Sequence, residues 1–171
     1  MDKLEIKTGK SLTETNPLVE ARNNAISNLN DTTFRIEWIR NYKGIDFVND
    51  AKSVSVLMSL ESINQCNGKL IWIVSDEQLT TELNLVKGVI AEKVEAIIYV
   101  SKNSNPTLEQ SCKSLVKNVL RLGTLDEAVQ ASLSFANEND CVLFSPATPS
   151  YLTLDTISKR GELFNSIVGK L

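Results

Sequence analysis

Short apolar runs alternate along this chain with apolar stripes at helical spacing. Leu70–Val74, Ala96–Val100 and Cys141–Phe144 are unbroken apolar segments, the pattern of strands buried on both faces of a sheet. Val119–Leu122 predicts a further short strand. Between them Thr80–Lys93 and Asn105–Leu115 read as helices, the second opened by an Asn-Pro pair that puts a cap and a proline at the first turn. Thr124-Leu125-Asp126-Glu127 has capping-box spacing, with Leu125, Ala128, Val129, Leu133 and Ala136 as the buried face behind it. Phe164, Ile167, Val168 and Leu171 share one helical face at the end of the sequence.

The first fifth of the chain has a different rhythm. Met1–Glu14 is polar, and Asn16-Pro17 predicts the start of a helix that runs to about Asn30 on Leu18, Ala21, Ala25 and Leu29. Phe34, Ile36, Trp38 and Tyr42 then follow a period of two interrupted at Arg40. Lys43-Gly44 supplies a turn and Ile45–Val48 a return strand, which predicts a β-hairpin. Asn49–Lys52 leads straight into Val54, Leu57, Met58 and Glu61 at helical spacing. Strands and helices alternating over short links predict an α/β domain, Rossmann-like and three-layered, with a mainly parallel sheet of about six strands and the hairpin at its N-terminal side. The expected organisation is an arm and helix over 1–32 and a domain over 33–171.

Composition narrows the chemistry. At 171 residues the chain suits one ordinary domain, and 42% hydrophobic with 23% charged residues is a globular balance. A net charge of −3 gives no electrostatic case for nucleic acid or an anionic membrane. No apolar run approaches membrane-spanning length, and the polar N-terminus has no signal-peptide core. Cys66, Cys112 and Cys141 are odd in number and widely spaced, so they read as reduced thiols of a cytoplasmic protein. There is no histidine, which excludes a Ser-His or Cys-His nucleophile and leaves no expected metal site. Thr8-Gly9-Lys10-Ser11 imitates the tail of a phosphate-binding P-loop. Leu4 stands where that motif needs glycine and no buried strand precedes it, so it reads as part of the polar arm.

The remaining chemistry gathers in two segments. Ser145 and Pro146 end the Cys141–Phe144 strand, because proline cannot donate to a sheet ladder. The polar loop that follows carries Thr148 and Ser150, at the C-terminal edge where open α/β sheets place ligands. Asn49–Lys52 is expected on the same edge. Asp50 is open to two readings there, as a helix cap or as a ligand-facing carboxylate.

Phe144-Ser145-Pro146-Ala147-x-x-Ser150 followed by Arg160-Gly161-x-x-Phe164 closely resembles the end of the Mur ligases that add D-glutamate to UDP-N-acetylmuramoyl-L-alanine. Gly44–Lys52 resembles that family's Gly-x-x-x-Ile/Val-Asn-Asp-Ser-Lys-Ala-Thr-Asn. Arg35 falls where the family carries the arginine of a His-Arg pair, with Phe34 in place of the histidine. Leu60-Glu61-Ser62, Ile71–Val74 and Asp126–Val129 also fit, so the likeness extends from about Thr33 to Leu171.

The resemblance implies the C-terminal, glutamate-ligase domain of an ATP-dependent acid–amino-acid ligase of peptidoglycan synthesis. In that family a P-loop domain binds ATP and magnesium and phosphorylates a carboxylate, and the C-terminal domain brings the amino acid whose amine attacks the acyl phosphate. The implied site residues are Lys52 at the phosphate–substrate junction, Arg35 and Asp50 toward the nucleotide, and Ser150, Gln78 and Ile157 toward the amino acid. Charge neutralisation and positioning around a transferring phosphate are what such residues supply.

Three departures stand inside the likeness. Gln78 replaces the family's lysine for the glutamate side chain, Val54 replaces a threonine donor, and Ile157 replaces an aromatic residue. A charge-assisted hydrogen bond contributes about 1.5–3 kcal/mol and a neutral one about 1, so the first two losses weaken glutamate binding by roughly two to three powers of ten. Asp76 and Glu77 add negative charge near the expected carboxylate position. The sequence contains no P-loop and no segment for the UDP-linked substrate. The chain alone is therefore expected to carry no cofactor and no turnover, with ATP and magnesium entering only beside a partner protein supplying those domains. The alternative is a non-catalytic binding or regulatory module with a degenerate pocket, holding at most a weak anion or nucleotide.

Overall fold

A computed structural model describes residues 33–75, 79–149 and 156–171. The predicted helix at 17–30, the polar arm, and the positions of Asp76, Glu77, Gln78 and Ser150 lie outside the described residues. The strands are β1 (Glu37–Tyr42), β2 (Ile45–Asn49), β3 (Leu70–Ser75), β4 (Val94–Val100), β5 (Asn118–Leu122) and β6 (Cys141–Phe144). The helices are α1 (Val56–Gln65), α2 (Leu79–Lys93), α3 (Pro106–Lys113), α4 (Leu125–Ser132) and α5 (Ile157–Gly169). They form the expected three-layer α/β domain around one six-stranded sheet in the order β1-β2-β6-β3-β4-β5.

All ladders are parallel except the β1–β2 hairpin. Strands β3 and β6 lie inside the sheet and every residue of both is buried, which is why their sequences do not alternate. The two faces are sorted by parity. Leu70, Trp72, Val74, Ile97, Tyr99 and Leu143 pack with α1, α2 and α3. Ile71, Ile73, Ala96, Ile98, Val142 and Phe144 pack with α4 and α5. Phe144 stacks on Phe164 at 5.0 Å between ring centroids, which seats the last helix on the sheet.

The ends of the elements follow local chemistry. Lys43 and Gly44 have φ of 52° and 79°, the left-handed pair that a two-residue hairpin turn requires. A side chain at Gly44 would also meet Glu138 at 2.5 Å. The capping box at Thr124 and Glu127 forms in both directions. Asp50 does not cap α1. Ser55 does, accepting from the Met58 N–H at 3.2 Å, because the chain needs five more residues to leave the sheet edge before it can turn into helix.

The hairpin begins later than the alternation suggests. Phe34 and Ile36 are not strand residues and sit at φ of 59° and 52°. The ladder also slips between Trp38 and Arg40, a bulge that leaves Trp38 59% exposed with its indole N–H on Asp46 at 3.0 Å. Among the described residues no helix is long and apolar enough to cross a membrane.

Candidate functional site

The site is built where β6 stands between β2 and β3. The chain leaves β2 and β3 for helices on one face of the sheet, and it leaves β6 for α5 on the other. Neighbouring parallel strands whose connections part in this way open a crevice at their C-terminal ends. Two loops line it, residues 50–55 after β2 and 145–149 after β6.

Backbone hydrogen bonds tie these loops across the sheet. The Asp50 N–H donates to the Phe144 carbonyl at 2.8 Å, Ser145 N–H to Ile73 at 3.1 Å, and Ser75 N–H to Pro146 at 3.1 Å. The Trp72 indole N–H donates to the Ser145 carbonyl at 2.9 Å. Ala147 takes a φ of 57° in the turn after Pro146. The resulting loop is buried through Thr148, and the Thr148 hydroxyl is enclosed without a hydrogen-bond partner among the described residues.

Arg160 closes the arrangement from α5. It is 1% exposed and donates to Ala51 O at 2.7 Å and Thr148 O at 2.8 Å, with longer contacts to Pro149 O and Ser53 O at 3.4 Å. A planar guanidinium with five donors in a fixed fork can hold carbonyls from two loops at once. Asn49 assists, donating to the Gly161 carbonyl at 3.0 Å and accepting from the Ala51 N–H at 3.0 Å. Gly161 has no room for a side chain, since a Cβ there would lie 2.5 Å from the Phe34 ring.

Beneath the loops runs a buried network of oxygens. Asp50 Oδ2 accepts from Ser62 Oγ at 2.5 Å and Ser145 Oγ at 2.8 Å, and its Oδ1 accepts from Arg35 Nη1 at 2.6 Å. Ser145 Oγ also reaches Ser59 Oγ at 2.7 Å, which meets Ser53 Oγ at 2.7 Å. Asp50 is wholly buried, a position a carboxylate tolerates only when paired and hydrogen-bonded. Arg35 is its counter-charge. Arg35 Nη1 also donates to Ser62 at 3.0 Å, while Nη2 faces outward and pairs with Glu61.

Of the residues singled out in the sequence, Arg35 and Asp50 are in direct contact. Lys52 lies in the same loop, half-buried, its N–H on the Phe34 carbonyl at 3.1 Å. Ile157 opens α5 behind the Thr156 cap and packs against the apolar face shared by Phe144 and Phe164. Ser150 and Gln78 fall outside the described residues. Val54 is half-buried in the first loop. Sequence reasoning assigned no role to Arg160, Ser59 or Ser62. The signal was there for the serines: they share the inner face of α1 with Val56 and Ile63, where polar residues need a reason.

Nothing in this set forms a metal cage, and among the described residues no group of three or more Cys, Asp and Glu could hold an ion. For a nucleotide the fit is partial. The outer edge of the Arg35 guanidinium suits a phosphate oxygen, but Asp50 has no exposed oxygen to offer a ribose.

No family profile matches the chain. Curated relatives do: the UDP-N-acetylmuramoylalanine–D-glutamate ligase of Coxiella burnetii is 30% identical over 141 residues, covering 80% of this chain and 31% of that enzyme. The enzyme of the same name from Methylococcus capsulatus is 27% identical over 137 residues, covering 80% of this chain and 29% of its own. The chain thus spans about a third of the length of these relatives. Among solved structures, Escherichia coli FolC in complex with ADP superimposes on 81% of the chain with a TM-score of 0.50 at 14% identity, over 32% of its own length. With the sheet order, the loop pair and these relatives together, the chain carries a domain of the Mur ligase C-terminal type.

Proposed function

We propose that this domain is the amino-acid-presenting part of an ATP-dependent ligase related to those that add D-glutamate in peptidoglycan synthesis, with an amino-acid pocket that has lost part of its grip. One observation carries the reading: two loops from strands flanking a switch point are tied to each other by Arg160, and the partly exposed Arg35 guanidinium, paired with buried Asp50, stands beside them. In this reading Lys52 sits at the phosphate–substrate junction, and Arg35 turns its outer edge toward the nucleotide. Asp50 acts on the nucleotide only through Arg35, because its own oxygens are filled. Ser150, Gln78 and Ile157 border the amino acid. ATP and magnesium, when bound by a P-loop domain or partner, supply the activated carboxylate. This chain's residues contribute orientation of the acceptor and charge beside the phosphate.

The second reading is a non-catalytic binding module. It is favoured by Arg35 being engaged by two carboxylates and by Val54 and Gln78 standing where the family has donors. A titration of the isotope-labelled chain separates the two, following the amides of Asn49–Ser55 and Ser145–Ser150. Millimolar ADP or phosphate, about −4 kcal/mol, should move both loops, and D-glutamate should bind no tighter than that. Micromolar D-glutamate affinity would overturn the degraded pocket; shifts in neither loop with any of the three would overturn the ligand-facing site.

A further inference from the structure

The guanidinium of Arg35 has an inner and an outer edge, and they hold different kinds of partner. Nη1 points inward to Asp50 and Ser62, both fully buried. Nη2 points outward to Glu61, whose side chain is 60% exposed. One stretch of α1 supplies both sides of this grip: Ser62 from its buried face and Glu61 from its solvent face. The second oxygen of Glu61 accepts a long contact from Gln65 Nε2, one turn on, at 3.5 Å. The inner edge cannot be vacated cheaply, since removing Arg35 from Asp50 strands a buried charge. The outer edge can, because an exposed ion pair contributes little and is screened by salt. Glu61 therefore covers the outward-facing Nη2 of Arg35, the edge an incoming anion would approach, and it leaves the cluster of Arg35, Asp50 and Glu61 with a formal net charge of −1.

We infer that Glu61 is a built-in gate on the phosphate-facing edge of Arg35: its carboxylate stands in for a ligand phosphate and must swing away before a nucleoside diphosphate can engage Nη2. This rests on the ligand-facing reading of Arg35 above. The backbone agrees with a fixed arginine and a movable glutamate. Arg35 lies between two residues in left-handed conformations, Phe34 and Ile36, and the Phe34 ring is wedged over Gly161. Ile36 at φ 52° is a costly geometry for a β-branched residue, so the surroundings hold this segment in place. Glu61 carries no such constraint.

The test compares ADP binding to the full chain and to Glu61→Gln, Arg35→Gln, the double variant, and Glu138→Gln as a control for net charge. Amide and Glu61 carboxyl carbon shifts are followed at low ionic strength. Glu61→Gln should tighten ADP about two- to fivefold, the range an exposed ion pair is worth. Arg35→Gln should abolish binding in both backgrounds, Glu138→Gln should change nothing, and the Glu61 carboxyl resonance should move as ADP is added. Equal affinity of Glu61→Gln and the parent chain, with Arg35 still required, would overturn the gate and leave the ligand-facing site intact. An equal gain from Glu138→Gln would reduce the effect to bulk charge and also overturn the gate. ADP binding that is absent, or indifferent to Arg35, would overturn the gate and the site reading together.

Discussion

Replacing Arg160 by methionine asks how firmly the two loops are held. The substitution keeps most of the buried volume and removes the donors to Ala51 O at 2.7 Å and Thr148 O at 2.8 Å, together with two longer contacts at 3.4 Å. A hydrogen bond to a charged group contributes about 1.5–3 kcal/mol. Two good ones give about 3–6 kcal/mol, and the carbonyls left behind are buried with Ala51 and Thr148. Against this, the guanidinium no longer has to be desolvated, so the net expectation is a loss of about 2–4 kcal/mol. Urea unfolding measures it as a lower midpoint at an unchanged slope. Hydrogen exchange adds the local readout, with amide protection falling in Ala51–Ser53 and Ser145–Thr148 by more than in β4 and β5. Arg160→Lys should fall between, because a single ammonium cannot span both loops. A midpoint equivalent to less than about 1 kcal/mol of loss, with both loops protected as before, would refute the clamp.

Gly161→Ala drives a methyl into the Phe34 ring at 2.5 Å and should cost about 1–3 kcal/mol by overpacking, read by thermal melting. Phe164→Ala empties the stack on Phe144 and should cost about 3–5 kcal/mol. Burial pushes the Cys112 thiol up to about 12, and Cys66 and Cys141 are buried too, so a thiol reagent at pH 8 should react with none of the three until the chain unfolds. The folded value of Cys112 lies above its unfolded value near 9, so its stabilising contribution is complete below pH 9 and is lost as pH rises toward 12. The urea midpoint should therefore fall across that window, and less steeply in Cys112→Ala.

The sheet was legible because its strands are buried on both faces, and a run such as Leu70–Val74 or Cys141–Phe144 has few other places to go. Their placement was not. No periodicity states that β6 inserts between β2 and β3, since that order is decided by which faces the helices cover. The hairpin start was misplaced for a related reason. Phe34 and Ile36 continue the alternation of β1 by accident of composition, while the backbone there turns to lay Phe34 over Gly161 and Arg35 against Asp50. Of the two readings of Asp50, the cap is excluded, and the carboxylate is buried against Arg35, Ser62 and Ser145. Four residues separate it from Ser55, which takes the cap, and its partner Arg35 comes from a segment whose left-handed turns no local pattern announces.

The residues that carried the resemblance divide by what they do in the fold. Ser145, Arg160, Gly161 and Phe164 hydrogen-bond, clamp, make room or stack. Each is specified by something inside the domain, so each persists whether or not a ligand is ever bound. The departures, Val54 and Gln78, replace residues that the resemblance implies as donors to the amino acid. On the proposed reading, the motif residues that are kept serve the crevice and those that changed bear on its contents. Arg35 serves both purposes on that reading. Its inner edge is required by the fold and its outer edge is covered by Glu61, so a binding measurement at that one residue distinguishes an inherited crevice from a working one.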